Sequence, residues 1–563
     1  MEQLKWWQKA VIYQIYPRSF CDSNGDGIGD LQGIISKLDH LAELGIDVIW
    51  LSPVYASPNE DNGYDISDYC SIHPEYGTMD DFDELVREAA SRGISIIMDL
   101  VINHTSTEHE WFQKSRQKIE PYTNYYYWSD TWAGTPNNWT GFFGGGCWEK
   151  DEVRGASYLH LFAPHQPDLN YHEPKVFEEV ERILRFWLEK GVKGFRCDVI
   201  NVLYKDNLAN GKKKMILTGS EHYLSLPGTH EILHKIHRIM EEYDAFTVGE
   251  TVFVDTQEAN LLTAPEREEL NMVFGFEHME IDQIIVKWFH TRFHWDKFMQ
   301  VLDRWQKEVG WNTLYLENHD QPRSVSRFGS QKYPEASAKL LAVLLLTLRG
   351  TPFIFEGQEI GMRNFDYESM DEIRDVESLN VYGILSKAHV PAKLKWYMIR
   401  NVSRDNARTP MQWNDEEYAG FMPTTEGQSL QTNEEATGTK KAEPWLKINS
   451  NYKEINVKAQ REDPDSVLSC YQTLLALRKA ESELMEGDYQ FLSGSSRYSL
   501  YQRGDLKILL NHSDEKLPLK PLWKYLPGLQ RGERQVLYST DQSNMDIIKR
   551  NAVLQPWQAV ILK

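Results

Sequence analysis

The chain has 563 residues, 41% hydrophobic and 26% charged, a composition that fits a folded globular protein and excludes disordered and fibrous classes. Lys and Arg number 61 against 83 Asp and Glu, and the net charge of −22 repels phosphate backbones and anionic membranes, so no nucleic-acid partner is expected. Five scattered cysteines without a CxxC pair exclude a disulfide framework and fit a reducing compartment.

The first residues, MEQLKWWQKAVIYQIYP, carry no apolar signal-peptide core, and the run LLAVLLLTL at 340–348 is too short to cross a bilayer. A cytoplasmic protein without membrane contact is expected. Apolar runs at 11–16, 47–51, 94–101, 192–199, 244–250, 270–276, 313–318 and 351–356 read as eight strands. Between them lie helical patterns, among them 34–44, 82–93 and 176–191, with apolar residues spaced three and four apart. This alternation predicts an α/β chain folded as a (β/α)8 TIM barrel over 1–102 and 172–480, with its chemistry at the C-terminal strand ends.

Residues 103–171, after the third strand, are rich in Trp, Tyr, Gly, Asn and Pro without helical period, which predicts an inserted subdomain. Residues 357–460 predict an elaborated loop-and-helix region that includes a polar stretch at 424–443. From about 465 a helix precedes short alternating runs, predicting a C-terminal antiparallel β-sandwich domain over 481–563.

Three of the strand-like runs end on an acid: Asp198 in GFRCDV, Glu250 in VGET and Asp320 in ENHDQPR. A carboxylate pair about 5 Å apart cleaves glycosidic bonds with retention, one acting as nucleophile and one as proton donor. Strand alternation puts Arg196 on the face of Asp198, where a guanidinium lowers the carboxyl pKa and keeps a nucleophile ionised; an interior salt bridge is the alternative reading. Glu250 has no basic neighbour in the sequence, so its surroundings are expected to raise its pKa, as a proton donor requires. His319 beside Asp320, with Asp99 and His104 in DLVINH, adds hydrogen-bonding groups at neighbouring strand ends. Such a ring could also bind a metal, but no HxH or HExxH spacing supports one.

DSNGDGIGD at 22–30 sets oxygen donors at alternate positions, Asp22, Asn24, Asp26 and Asp30, with the Ile28 carbonyl between them. It reads as a calcium loop, or else as an acidic turn without metal; an EF-hand is excluded because its twelfth position is Gly33.

Taken together, YQIYPRSF (13–20), NGYDISDY (62–69), DLVINHTS (99–106), QPDLNY (166–171), GFRCDVIN (194–201), GET (249–251), ENHDQPR (317–323) and RDNARTPMQW (404–413) resemble the α-amylase family of glycoside hydrolases, family 13. The likeness spans nearly the whole chain and is closest to the oligo-1,6-glucosidase and α-glucosidase branch. It implies Asp198 as nucleophile, Glu250 as general acid/base and Asp320 as transition-state stabiliser. It also implies that His104, Arg196 and His319 bind the sugar of subsite −1, with Tyr64 as its stacking platform. Asp65 and Arg404 resemble the pair that grips the far edge of that glucose, which makes the enzyme exo-acting. Val199, after the nucleophile, resembles α-1,6-acting members. The loop at 22–30 would hold structural Ca²⁺, with Mg²⁺ as the alternative ion, and no organic cofactor is implied.

The expected activity is therefore release of glucose from the non-reducing ends of isomalto-oligosaccharides, by a monomer or weak homo-oligomer. An α-1,4-preferring glucosidase, trehalose-6-phosphate hydrolase and sucrose isomerase share the scaffold. The second needs a basic phosphate subsite, for which GKKKM at 211–215 is a possible source; the third usually has Thr after the nucleophile. Transporter heavy-chain ectodomains use the same barrel without catalysis, but they carry a membrane anchor and often lose the carboxylates kept here.

Overall fold

The computed structural model describes residues 3–131, 134–423, 442–527, 535–541 and 553–563, so most of the polar stretch predicted at 424–443 lies outside the described residues. Eight strands form one sheet: β1 (Ile12–Ile15), β2 (Val48–Leu51), β3 (Ser95–Leu100), β4 (Gly194–Cys197), β5 (Phe246–Glu250), β6 (Met272–Phe274), β7 (Thr313–Leu314) and β8 (Thr351–Phe355). Each falls inside one of the eight apolar runs. Their order, β6-β5-β4-β3-β2-β1-β8-β7, is the cyclic order of a parallel barrel, which is the fold read from the sequence. Parallel strands buried on both faces read as unbroken apolar runs, as VIWL and TPFIF do, with every residue buried.

The chain divides into two compact units. The unit of residues 49–91 and 95–276 holds β3 to β6. Register there sets Asp99 of β3 and Val248 of β5 on either side of Arg196 in β4. The helix that delivers β4, Pro174–Glu189, starts with Pro at its first position and Glu173 accepting from the Lys175 N–H. It buries Val176, Val180, Ile183, Leu184 and Trp187 at helical spacing. The predicted insertion contains a three-stranded antiparallel sheet, Trp128–Ser129, Trp148–Asp151 and Ala156–Leu159. Its core of Tyr127, Trp139, Cys147, Leu159 and Leu161 packs with Val199, Val202 and Tyr223, so the insertion braces the turn that follows β4.

The other unit, residues 1–48, 92–94 and 277–563, holds β1, β7 and β8. The apolar run at 340–348 belongs to the helix Pro334–Thr347, buried throughout its last three turns; among the described residues no helix is long and apolar enough to cross a membrane. The C-terminal region forms a five-stranded antiparallel sheet, in the order 489–494, 498–503, 506–511, 559–562, 536–539, and a two-stranded one, Leu517–Pro518 with Val553–Leu554. Leu500, Leu509, Leu517, Leu554 and Val560 form their common core. A hairpin of Gln283–Ile284 with Val286–His290 was not legible as strands; it shares a core of Trp288, Met398 and Ile399 with the helix Ala392–Arg400.

Candidate active site

In the first of these units Arg196 is the centre of an acidic cluster. Its guanidinium lies 2.6 Å from Asp99, 2.6 Å from Asp198 and 2.7 Å from Glu250. The β3–β4 register explains Asp99, strand alternation explains Asp198, and Glu250 ends β5 next to β4. Two expectations are corrected here. Glu250 does have a basic partner, which the local run TVGET does not reveal because 54 residues separate it from Arg196. The Asp198 carboxyl is not lowered: burial pushes it up to about 6, outweighing Arg196, which pulls the other way. Burial likewise lifts Asp99 to about 6, against Arg196 and the Trp50 indole N–H, which donates to it at 2.7 Å. Burial disfavours the Arg196 charge, but Glu250 and Asp99 outweigh it and hold the guanidinium protonated.

Val199, next in the chain, sits at φ +36°, a left-handed conformation costly for a β-branched residue, and its N–H donates to Glu250 at 3.2 Å. His104 faces the Tyr64 carbonyl through Nε2 at 3.2 Å, with the Gln166 amide on the same nitrogen at 3.1 Å. Burial drives it down to about 4, so the ring is neutral near pH 7. The Tyr64 ring is buried and stands 5.8 Å from the Arg196 guanidinium, so these two expected sugar contacts adjoin. Asp65 is fully buried and accepts from Ser57 Oγ (3.1 Å) and the N–H groups of Glu60 (3.0 Å) and Asp61 (2.9 Å). Sequence reasoning missed Lys205, whose buried ammonium bonds Asp168 (2.6 Å) and Asn103 (2.8 Å) and ties both ends of the insertion to the segment after β4.

In the other unit the expected residues Asp320, His319 and Arg404 come together. Asp320 takes Arg408 at 2.6 Å, His319 at 3.3 Å and Arg404 at 3.5 Å. Burial works to raise its carboxyl, but His319, Arg404, Arg408 and Lys287 together hold it well below the usual range. Gln14 fixes the other His319 nitrogen at 2.8 Å, and Tyr16 stacks on the ring at 6.2 Å and 13°. Arg404 is aimed by Asp375, 2.7 Å from its Nε, which also accepts from the first N–H groups of the helix Val376–Lys387. Arg408 and Asp375 were missed; Arg408 was visible only as a second arginine in RDNARTPMQW. A cavity of about 620 Å³ opens beside Asp320, lined by the hairpin Gln283–His290, the segment 363–366 and residues 400–402.

The loop at 22–30 curls on its own backbone. Asp22 accepts from the N–H groups of Asn24 (3.0 Å), Gly25 (2.6 Å) and Gly27 (2.8 Å). Asn24 accepts from Asp26, Asp26 from Ile28, and Asp30 from Ser23 and Gly33. Gly27, at φ +92°, leaves no room for a β-carbon, which would fall 2.1 Å from the Glu443 carbonyl. Its donors are all oxygen, the set a hard cation takes, although among the described residues no three His, Cys, Asp or Glu side chains converge as metal ligands.

A parallel barrel with acids at its C-terminal strand ends is laid out as barrel enzymes are, and the alpha amylase catalytic-domain family matches residues 14–487. The chain belongs to the α-amylase family of glycoside hydrolases. It is 45% identical over 583 aligned positions to the oligo-1,6-glucosidase of Parageobacillus thermoglucosidasius, covering 99% of each chain. The oligo-1,6-glucosidase of Bacillus cereus is 44% identical, again over 99% of each. Among solved structures, trehalose-6-phosphate hydrolase from Bacillus licheniformis superposes with a TM-score of 0.88 at 41% identity, covering 99% of both chains.

Proposed function

We propose that this chain is an exo-acting, retaining α-glucosidase that hydrolyses α-1,6-glucosidic bonds at the non-reducing ends of isomalto-oligosaccharides and short α-glucans, releasing glucose. The observation that carries the reading is the end-to-end likeness to oligo-1,6-glucosidases in a chain that retains Asp198, Glu250 and Asp320 at strand ends. One guanidinium faces three carboxylates, those of Asp99 and Asp198 buried and that of Glu250 partly exposed. Glu250 works with Arg196 against burial to pull the Asp198 carboxyl down, toward the ionised form a nucleophile needs.

That arrangement suits both roles. Asp198 attacks the anomeric carbon while Glu250 gives its proton to the departing glycosidic oxygen, and a glucosyl ester forms on Asp198. Glu250, now ionised, takes a proton from water as that water displaces Asp198, and the original configuration returns. Asp320, kept ionised by its cationic neighbours, stabilises the positive charge that develops on the sugar. Arg196 and neutral His104 meet the hydroxyls of the same glucose, Tyr64 stacks on it, and Asp65 and Arg404 close its far edge. The bulk of Val199 selects the α-1,6 bond.

Rates measured in parallel on isomaltose, panose, maltose, sucrose and trehalose 6-phosphate test this assignment. Isomaltose and panose should exceed the others in kcat/KM by about tenfold or more, the discrimination one side chain gives. Preference for trehalose 6-phosphate or sucrose overturns it. Free thiols at all five cysteines support a cytoplasmic site of action. The oxygens of Asp22, Asn24, Asp26, Ile28 and Asp30 would hold Ca²⁺, or Mg²⁺, as a structural ion.

A further inference from the structure

Lys205 is fully buried, and its surroundings leave it one arrangement. An ammonium carries three donors and no acceptor, and three acceptors meet it: Asp168 at 2.6 Å, the Asn103 side-chain carbonyl at 2.8 Å and the Leu203 carbonyl at 3.3 Å. All four residues lie in the unit that holds β3 to β6. Asn103 follows β3, Lys205 follows the turn after β4, and Asp168 sits in the insertion, its backbone bridged to that of His104.

A side-chain amide has an accepting end and a donating end, so the bond to Lys205 also decides where the Asn103 NH2 points. One of its hydrogens reaches Asp168 at 3.3 Å and the other His104 Nδ1 at 3.2 Å. Nδ1 therefore accepts, and the ring proton sits on Nε2, where the Tyr64 carbonyl takes it at 3.2 Å. The Gln166 amide nitrogen beside Nε2 donates to Asp61 at 3.2 Å, and its carbonyl accepts from the Ala163 N–H at 3.0 Å. A proton on Nδ1 instead would set N–H against NH2 at one end of the ring and a lone pair against a carbonyl at the other. Burial holds the ring neutral, and the two charged groups that act on it, Asp168 and Lys205, oppose each other, with Asp61 beyond the Gln166 amide.

We propose that Lys205 and Asn103 are positioning residues of the glucose site: by turning the Asn103 amide, Lys205 fixes the His104 proton on Nε2, so that the ring meets a glucose hydroxyl as a donor. The inference rests on the proposed contact between His104 and the glucose and adds to it what sets the direction of that hydrogen bond.

The test reads the proton first by spectroscopy and then through kinetics. In protein labelled with nitrogen-15 at the histidine rings, with the His104 signals identified by their loss in His104→Ala, the wild type should show a protonated Nε2 and a bare Nδ1 from about pH 5.5 to 8. Asn103→Asp sets a carboxylate, which only accepts, against Nδ1, so the proton should move there and the ring pKa should rise. Below that pKa the imidazolium still donates through Nε2; above it the one remaining proton stays on Nδ1 and the donor is lost. The KM of Asn103→Asp on a chromogenic α-glucoside, relative to wild type, should therefore climb about three- to tenfold between about pH 5 and 8, the worth of one hydrogen bond. Lys205→Met frees the amide to turn and should leave a mixture of both ring forms; where it fails to fold, Asn103→Asp carries the test alone. A wild-type proton on Nδ1, or a KM ratio for Asn103→Asp that is the same at every pH, overturns the proposal. An unchanged KM in His104→Ala would instead overturn the glucose contact on which it rests, while the spectrum would still report where the proton sits.

Discussion

Replacing Arg196 by Met removes the positive charge that faces Asp99, Asp198 and Glu250 at 2.6, 2.6 and 2.7 Å. Burial already lifts Asp99 and Asp198 to about 6 with the guanidinium present. Without it burial meets less opposition, and the carboxyls rise further by on the order of 1–3 units, the lowering an adjacent guanidinium exerts. At pH 7 the ionised fraction of Asp198 then drops from about nine-tenths to between about one-half and one-hundredth, so kcat/KM falls on the order of 2- to 100-fold from ionisation alone. The assay is the pH dependence of kcat/KM on a chromogenic α-glucoside. The wild-type acidic limb should lie near pH 6, and the variant's should move to about pH 7–9 with partial recovery of rate at high pH.

Stability should follow the same groups. A carboxyl whose folded pKa lies above its unfolded value contributes stability at low pH that is lost as pH rises through the folded value. The melting temperature of Arg196→Met should therefore fall across pH 5–9 more than that of the wild type. An acidic limb that stays near pH 6 while the plateau drops would refute the reasoning, because Arg196 would then act on the sugar alone.

Glu250→Gln should lower kcat on isomaltose by on the order of 10³-fold without unfolding the protein, and much less on α-glucosyl fluoride, whose leaving group needs no proton; equal losses on both would remove Glu250 from the acid role. Val199→Thr keeps the β-branch and hence the same backbone cost, so any change reports on the subsite; the isomaltose-to-maltose ratio of kcat/KM should fall about tenfold, and an unchanged ratio would deny Val199 a part in linkage choice. Chelation by EDTA should lower the melting temperature by about 2–4 °C if the 22–30 loop holds a structural ion, with Ca²⁺ restoring it; identical melting curves would argue for a metal-free turn.

The barrel was legible because each of its strands is an apolar run set between helical periods, a local signal that survives in one sequence. Asp198 and Arg196 were legible for the same reason, two residues apart on one strand. What escaped reading depends on contacts far apart in the chain. The Glu250 environment looked uncharged because its partner lies in another strand, and Asp320 owes its low pKa partly to Arg408, 88 residues away. Asp375 reads locally as a helix cap and only in space as the residue that aims Arg404. Lys205 and Asp168 look like surface charges until the insertion folds over both and buries them. The hairpin at 283–290 escaped because its strands are short and only half-buried, so alternation never develops.

The most direct measurement follows isomaltotriose hydrolysis by proton NMR during the first turnovers, when the only free glucose comes from the non-reducing end and its anomers have not equilibrated. A retaining enzyme with Asp198 as nucleophile and Glu250 as acid/base releases α-glucose first from the non-reducing end, at a rate well above that on maltose. β-Glucose appearing first, or no glucose released from isomaltotriose, would contradict it.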